Sequence, residues 1–219
     1  DAYPRSAVLF QYKNPAGSEK FGTASYGEVM TFYGAIGENY TNAALGGLAA
    51  SGRNYLSVMN TAVQNGSANS KSVRNVVLYV TGQSDLNSTK TVQLTNYSAG
   101  GTTSASVPQL VKLSEDRFLV LWEINTMDQY GNFEADGTIC YVIVDGSGKQ
   151  IGQAQSGKAR LSDCQPITVD GKAVWYVTSN SAPKFYEINQ NGSPTADSAA
   201  SSGTQQLGQS ASGLDFKDV

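Results

Sequence analysis

Carboxylates offer the clearest route to chemistry in this chain. Glu115, Asp116, Glu123, Asp128, Glu134 and Asp136 crowd into residues 115–136, and Asp163 follows. Two carboxylates that folding brings roughly 5–10 Å apart can cleave a glycosidic bond, one as acid and the other as base or nucleophile. Glu123 and Asp163 are the candidates for such a catalytic pair. The competing reading is structural: Glu115 and Asp116 sit on a hairpin tip, and Asp128 to Asp136 lie in a solvated loop.

The same loop, NTMDQYGNFEADG (125–137), carries two further sets of candidates. Asp128, Asn132, Glu134 and Asp136 offer oxygen ligands suited to calcium, though without the spacing of an EF-hand loop. Tyr130 and Phe133, with Asp128 and Asn132 beside them, form a mixed aromatic and polar group of the kind that contacts a protein or glycan partner.

Other chemistries lack their residues. The chain has no histidine, so the commonest general base, the serine and cysteine triads and most zinc or copper sites lose a member. No phosphate-cradling glycine loop or dinucleotide fingerprint appears; the glycines of LGGLAASG have the wrong spacing, so no organic cofactor is expected. Cys140 and Cys164 are the only cysteines and are read either as a disulfide or as two buried thiols.

At 219 residues the chain can bury a substantial core. Only 15% of residues are charged; Ser, Thr, Asn, Gln and 23 glycines carry the polarity, a balance that suits an extracellular or cell-surface β protein. A net charge of −3 leaves no electrostatic footprint for nucleic acid. No apolar stretch reaches the roughly 18–20 residues of a membrane span, and DAYPRSAVLFQYKN lacks the features of a signal peptide. The expectation is a mature or excised piece, or a chain that is never exported.

These residues must be positioned by strands, because apolar positions either alternate or run continuously between turn formers. The predicted strands are 7–13, 28–35, 44–50, 54–62, 74–83, 90–96, 108–113, 117–125, 138–145, 149–156, 165–169, 173–179 and 183–189. Asp145-Gly146-Ser147-Gly148 and Asp170-Gly171 are hairpin turns. One phrase recurs: LGGLAASGRNYLSVMNT (45–61), PQLVKLSEDRFLVLWEI (108–124) and CQPITVDGKAVWYVTS (164–179) are each a short apolar strand, a polar turn and a longer apolar strand. With the strands that follow, the unit is four strands in about 55–65 residues, a period of the kind propeller blades show.

Double burial separates the two architectures open to such a chain. In a two-sheet β-sandwich with one wet face, strands alternate; in a radial stack each blade is covered on both sides and its inner strands are apolar throughout. FLVLW (118–122) and NVVLYV (75–80) fit the stack. The fold is therefore read as all-β, with propeller blades of four antiparallel strands, about three and a half to four of them over residues 1–190; a β-sandwich is the alternative. Residues 191–219 read as a low-complexity tail or an outer-strand wrap. An incomplete ring would expose apolar blade faces, so a second chain or segment completing the propeller is a further expectation.

NYTNAALGGLAASGRNYLSV, SVPQLVKLSEDRFLVLWE and GTICYVIVDGSGKQIG resemble the repeats of large bacterial extracellular and cell-envelope proteins, whose units are similar to β-propeller blades. The resemblance spans roughly residues 40–190 and implies a surface location and an interaction role, with no active-site residues attached. TVDGKAVW (168–175) resembles the Asp-box hairpin of sialidase-type propellers but lacks the residue between Asp170 and its glycine. The sequence thus points to a noncatalytic binding or assembly module contacting a protein or glycan. A carboxylate-dependent glycan hydrolase or lyase, and a structural subunit completed by another chain, are the alternatives.

Overall fold

β-branched and aromatic residues between glycine-rich turns fold here as antiparallel meanders. The computed structural model describes residues 6–13, 23–31, 43–62, 71–178, 183–189, 191 and 205–206. A first sheet pairs β1 (Ser6–Lys13) with β2 (Thr23–Thr31). A second runs β3 (Ala43–Ala50), β4 (Asn54–Ala62), β5 (Arg74–Gly82) and β6 (Thr89–Gln93), each strand bonded to the next. In the third, β7 (Thr103–Ala105) and β8 (Gln109–Ser114) share one edge of β9 (Arg117–Met127), followed by β10 (Phe133–Val144) and β11 (Gln150–Lys158). The fourth is β12 (Ile167–Val169), β13 (Lys172–Val177) and β14 (Lys184–Ile188). Finally β15 (Gln205–Gln206) lies parallel to the end of β11.

Three apolar clusters join these sheets in chain order. Met59, Val77 and Tyr79 meet Leu9, Val29 and Met30 between the first and second sheets. Leu56, Val58, Val76 and Leu78 meet Phe118, Val120, Trp122, Val142 and Val144 between the second and third. Leu119, Leu121, Ile139, Tyr141 and Ile143 meet Ala173, Trp175, Tyr186 and Ile188 between the third and fourth. Successive residues of β9 therefore alternate between two neighbours, not between core and water. That explains the unbroken apolar run from Phe118 to Trp122, all of it buried. A two-sheet sandwich is excluded, because the second and third sheets are covered on both faces. The architecture is that of propeller blades: antiparallel meanders, two to four strands across among the described residues, stacked face to face.

The inner strands approach closely. A Cβ at Gly46 of β3 would collide with the carbonyl oxygen of Pro108, and one at Gly47 would lie 2.9 Å from Leu110 Cβ. Adjacent glycines let two β-strand backbones come together at the narrow side of the stack. Asp170 and Gly171, both at positive φ (50° and 73°), make the two-residue turn between β12 and β13.

Several boundaries differ from the sequence reading. The strand predicted over 28–35 runs from Thr23 to Thr31, with 32–35 outside the described residues. β7 was not anticipated: Thr103–Ala105 has too few apolar residues to signal a strand, and it forms because β9 extends beyond β8. Residues 125–137 are not a long loop; they are the end of one hairpin, with Phe133 opposite Met127 and Ala135 opposite Asn125. β11 does not alternate in burial. Toward the outer side of its sheet, it has no sheet over either face among the described residues and is exposed along almost its whole length. The loop read at 62–73 falls largely outside the described residues.

Candidate functional site

The candidate residues stand at the end of the stack where the inner strands begin. There the inner strand of the third sheet breaks between β7 and β8, and Ser106 takes up the freed backbone groups: its N–H donates to Glu123 O (3.0 Å) and its Oγ accepts from Glu123 N (2.9 Å). Glu123 is buried, and its Oε1 accepts from Arg160 Nε (2.7 Å) and from the Leu161 backbone N–H (2.9 Å). Trp175 Nε1 in turn donates to Arg160 O at 2.9 Å. A carboxylate on the third sheet is thus linked through the 159–166 segment to the indole of the fourth.

More polar side chains fasten the same segment. Gln109 Nε2 donates to the carbonyls of Ser162 (2.6 Å) and Cys164 (3.3 Å). Gln165 Oε1 accepts from Leu110 N at 3.1 Å, while its Nε2 donates to Gly46 O. Arg160, Gln109 and Gln165 were not singled out from sequence; isolated polar residues on loops and strand ends carry no spacing signal.

Asp163 lies exposed on this segment, and no hydrogen bond or ion pair joins its carboxylate to Glu123 among the described residues. Glu123 is engaged by Arg160, while Asp163 stands at the surface of the same segment.

The calcium candidates are arranged for a different task. Asp128 Oδ1 accepts from the N–H groups of Tyr130 and Asn132, both at 2.8 Å, and its own N–H and carbonyl bond to Asn132 O and Gly131 N. The Asn132 N–H and the other donors stabilise the ionised carboxylate and hold its pKa below the ordinary range. The same turn closes β10 to β11: Asp145 Oδ1 accepts from Ser147 N (2.8 Å), Ser147 Oγ (2.7 Å) and Lys149 N (3.0 Å). Burial raises the Asp145 pKa, but these donors and the Lys149 charge bring it to a net lowered value. Each turn has glycine at the third place after the aspartate, Gly131 (φ 81°) and Gly148 (φ 78°), where left-handed backbone is needed. Glu134 and Asp136 stand exposed on β10, and among the described residues no three His, Cys, Asp or Glu side chains are grouped to hold a metal.

The two cysteines are free, which corrects the disulfide reading. Cys140, on β10 opposite Trp122, is half-buried against the second sheet. Cys164 is exposed on the loop before β12, which also overturns the view that both are buried. Burial, with the Asp136 charge adding to it, pushes the Cys140 thiol up to about 11. Tyr130 is 72% exposed at the β9–β10 tip and Phe133 is half-buried beside it.

No family model matches the chain. No curated protein matches it either. Among solved structures, an alpha-L-arabinanase of Penicillium chrysogenum complexed with arabinobiose is similar, at 14% identity and a TM-score of 0.49. The match covers 86% of this chain and 54% of the arabinanase chain, so this chain spans about half that protein's length.

A second group of residues is left open by the stack itself. On the fourth sheet, Trp175, Tyr186 and Ile188 face inward, so their neighbours in the strands face away from the third sheet. Ile167 (64% exposed), Val174, Tyr176 (46% exposed) and Phe185 occupy that outer face, with Tyr176 and Phe185 in a tilted ring contact at 5.9 Å. Lys172 Nζ and Glu187 Oε1, 3.1 Å apart, form an ion pair across β13 and β14. Sequence reasoning passed over these positions because their apolar character reads as core. No helix of the described chain is long and apolar enough to cross a membrane.

Proposed function

We infer that this chain is a noncatalytic binding and assembly module of a bacterial extracellular or cell-surface protein, and that it contacts a protein or glycan partner through an open blade face. The observation that carries this reading is the aromatic and aliphatic surface at one end of the stack, where Ile167 and Tyr176 are exposed beside the half-buried Val174 and Phe185. An exposed apolar cluster of this kind marks an interaction surface.

The acids support the same reading. Glu123 is engaged by Arg160 and a backbone N–H, and Asp128 and Asp145 hold hairpin turns.

The test is an assay for reducing-end release from a panel of polysaccharides, run beside binding of the same chain to immobilised glycans and proteins. The expected result is no turnover for wild type, with binding weakened by Tyr176→Asp. Turnover abolished by Glu123→Gln or Asp163→Asn would establish the hydrolase instead.

A further inference from the structure

Asn39-Tyr40-Thr41, Asn65-Gly66-Ser67, Asn87-Ser88-Thr89, Asn96-Tyr97-Ser98 and Asn191-Gly192-Ser193 each match the acceptor triplet for N-linked glycan. The triplet is an asparagine followed two residues later by a hydroxyl, with no proline between. Such triplets arise by chance in a chain rich in Asn, Ser and Thr, so the work each asparagine does in the fold has to decide. Asn39 and Asn65 lie outside the described residues, as do Gly192 and Ser193.

Asparagines outside the triplets are used by the fold. Asn54 Nδ2 donates to Gly146 O (2.7 Å), Asn60 Nδ2 to Ala105 O (3.3 Å) and Asn75 Nδ2 to Tyr97 O (3.1 Å). Asn132 Nδ2 donates to Asp128 Oδ2 (3.4 Å), Asn189 Oδ1 accepts from Asn191 N (2.9 Å), and Asn125 Oδ1 is buried. Asn87 and Asn96 are exposed, and among the described residues no hydrogen bond or ion pair holds either carboxamide. Chance would place triplets on both kinds of asparagine; here they fall on those the fold does not use.

Local structure turns both amides to water. In the turn between β5 and β6, Asn87 N donates to Asp85 Oδ1 (3.0 Å) and Ser88 N to Asp85 O (3.1 Å), with Leu86 buried beneath. After β6, Tyr97 is clamped: its N–H donates to Asn75 Oδ1 (2.6 Å), and its hydroxyl accepts from Trp122 Nε1 (3.4 Å). Asn96 and Ser98, on either side of this anchor, are both exposed. The two asparagines flank β6, whose outer edge has no partner strand among the described residues. Bulk at each end would keep that edge from pairing with another chain.

We propose that Asn87 and Asn96 are acceptor sites for N-linked oligosaccharide. The reaction is glycosyl transfer from a lipid-pyrophosphate-linked oligosaccharide. Asparagine Nδ2 bonds to the anomeric carbon, the bond from that carbon to the phosphate oxygen breaks, the pyrophosphate leaves with the electron pair, and Nδ2 loses a proton. The proposal rests on the extracellular or cell-surface location inferred above. Both sites stand on the second sheet, so occupying them leaves Tyr176 and Phe185 of the fourth open to a partner. Thr89 Oγ1 is bonded to Thr81 Oγ1 (2.9 Å), whereas no hydrogen bond holds Ser98 Oγ among the described residues. Since this hydroxyl is part of the recognised triplet, Asn96 is the readier acceptor.

The folded chain is incubated with a purified oligosaccharyltransferase that accepts any Asn-x-Ser/Thr triplet and with its lipid-pyrophosphate-linked donor; peptide mass spectrometry reads the sites. One oligosaccharide is expected on Asn96 and one on Asn87, Asn96 filling first, each lost alone in Asn96→Gln and Asn87→Gln. The modified chain should melt within about 2 °C of the unmodified one, as surface changes away from packing do. No transfer to the folded chain would overturn the proposal, whether or not peptides spanning 84–91 and 93–100 are modified. A clearly lower melting point on modification would overturn it too, since the fold would then need those amides. Transfer in vitro does not depend on where the chain resides, so its failure leaves the binding reading standing, while loss of the binding reading leaves the acceptor sites untouched.

Discussion

Tyr176 stands in β13 where Leu121 stands in β9, the fifth residue of the second strand turned toward the next sheet, yet Leu121 is 0% and Tyr176 46% exposed. The two positions should respond oppositely to truncation. Leu121→Ala should cost about 3 kcal/mol, the usual toll of a cavity in a sealed core. Tyr176→Ala should change stability by less than about 0.5 kcal/mol in dilute monomer. Chemical denaturation of both variants checks the contrast, and a large loss for Tyr176→Ala would mean that its face is covered within the chain.

Glu123 ties the third sheet to the segment leading into the fourth, so its removal should be felt as stability. Glu123→Ala leaves the part-buried Leu161 N–H and the Arg160 guanidinium without their acceptor, a loss of about 1–2 kcal/mol. Glu123→Gln keeps an oxygen for Leu161 N and should lose less. The urea midpoints of the two variants give the order, and the reverse order would remove the strut.

Acid should weaken the hairpin turns. A carboxylate whose folded pKa is depressed contributes stability that is fully present above the unfolded value, near pH 4 for aspartate, and lost as pH falls through the lower folded value. Asp145→Ala should therefore cost about 1 kcal/mol at pH 7, the net worth of one such hydrogen-bonded turn at a partly exposed site. The gap from wild type should close in melts taken progressively below pH 4. A gap that stays constant to pH 2 would contradict this account of the turn.

The cysteines should be distinguishable by thiol reagent. Cys164 is exposed and should react within minutes at pH 8. Cys140, half-buried and with its pKa raised to about 11, should react only as the fold opens. Quantifying released chromophore with and without denaturant gives one fast group and one protected group.

The inner strands tolerate no side chain where they touch. Gly46→Val places Cβ against the Pro108 carbonyl oxygen and should destabilise by roughly 1–3 kcal/mol or more, as overpacking does. Gly52→Ala, in a turn with open space around it, serves as the control in the same thermal melt and should shift little.

The strands were legible because their signals are local. Bounded apolar runs located β4, β5 and β9 to within two residues and the apolar half of β10, and the unbroken FLVLW run already required a sheet on each side of β9. Asp170-Gly171 announced its turn because few other residues accept two consecutive positive φ angles. The extra pairing of β7 was hidden, since it depends on the length of β9 and not on any property of Thr103–Ala105.

The site was far less legible. Asp128 and Asn132 share a spacing that suits a metal loop and a hairpin turn alike, and only the backbone geometry shows their polar groups joined in the turn. Glu123 and Asp163 were plausible partners in sequence; the fold gives Glu123 to Arg160 and leaves Asp163 at the surface. The sequence by itself determined the all-β class and the double burial, because hydrophobic period and turn chemistry act over a few residues. Only the tertiary structure decided which apolar residues are covered: Val174 and Tyr176 have the character of core residues, and whether another sheet lies over them depends on the order of the stack.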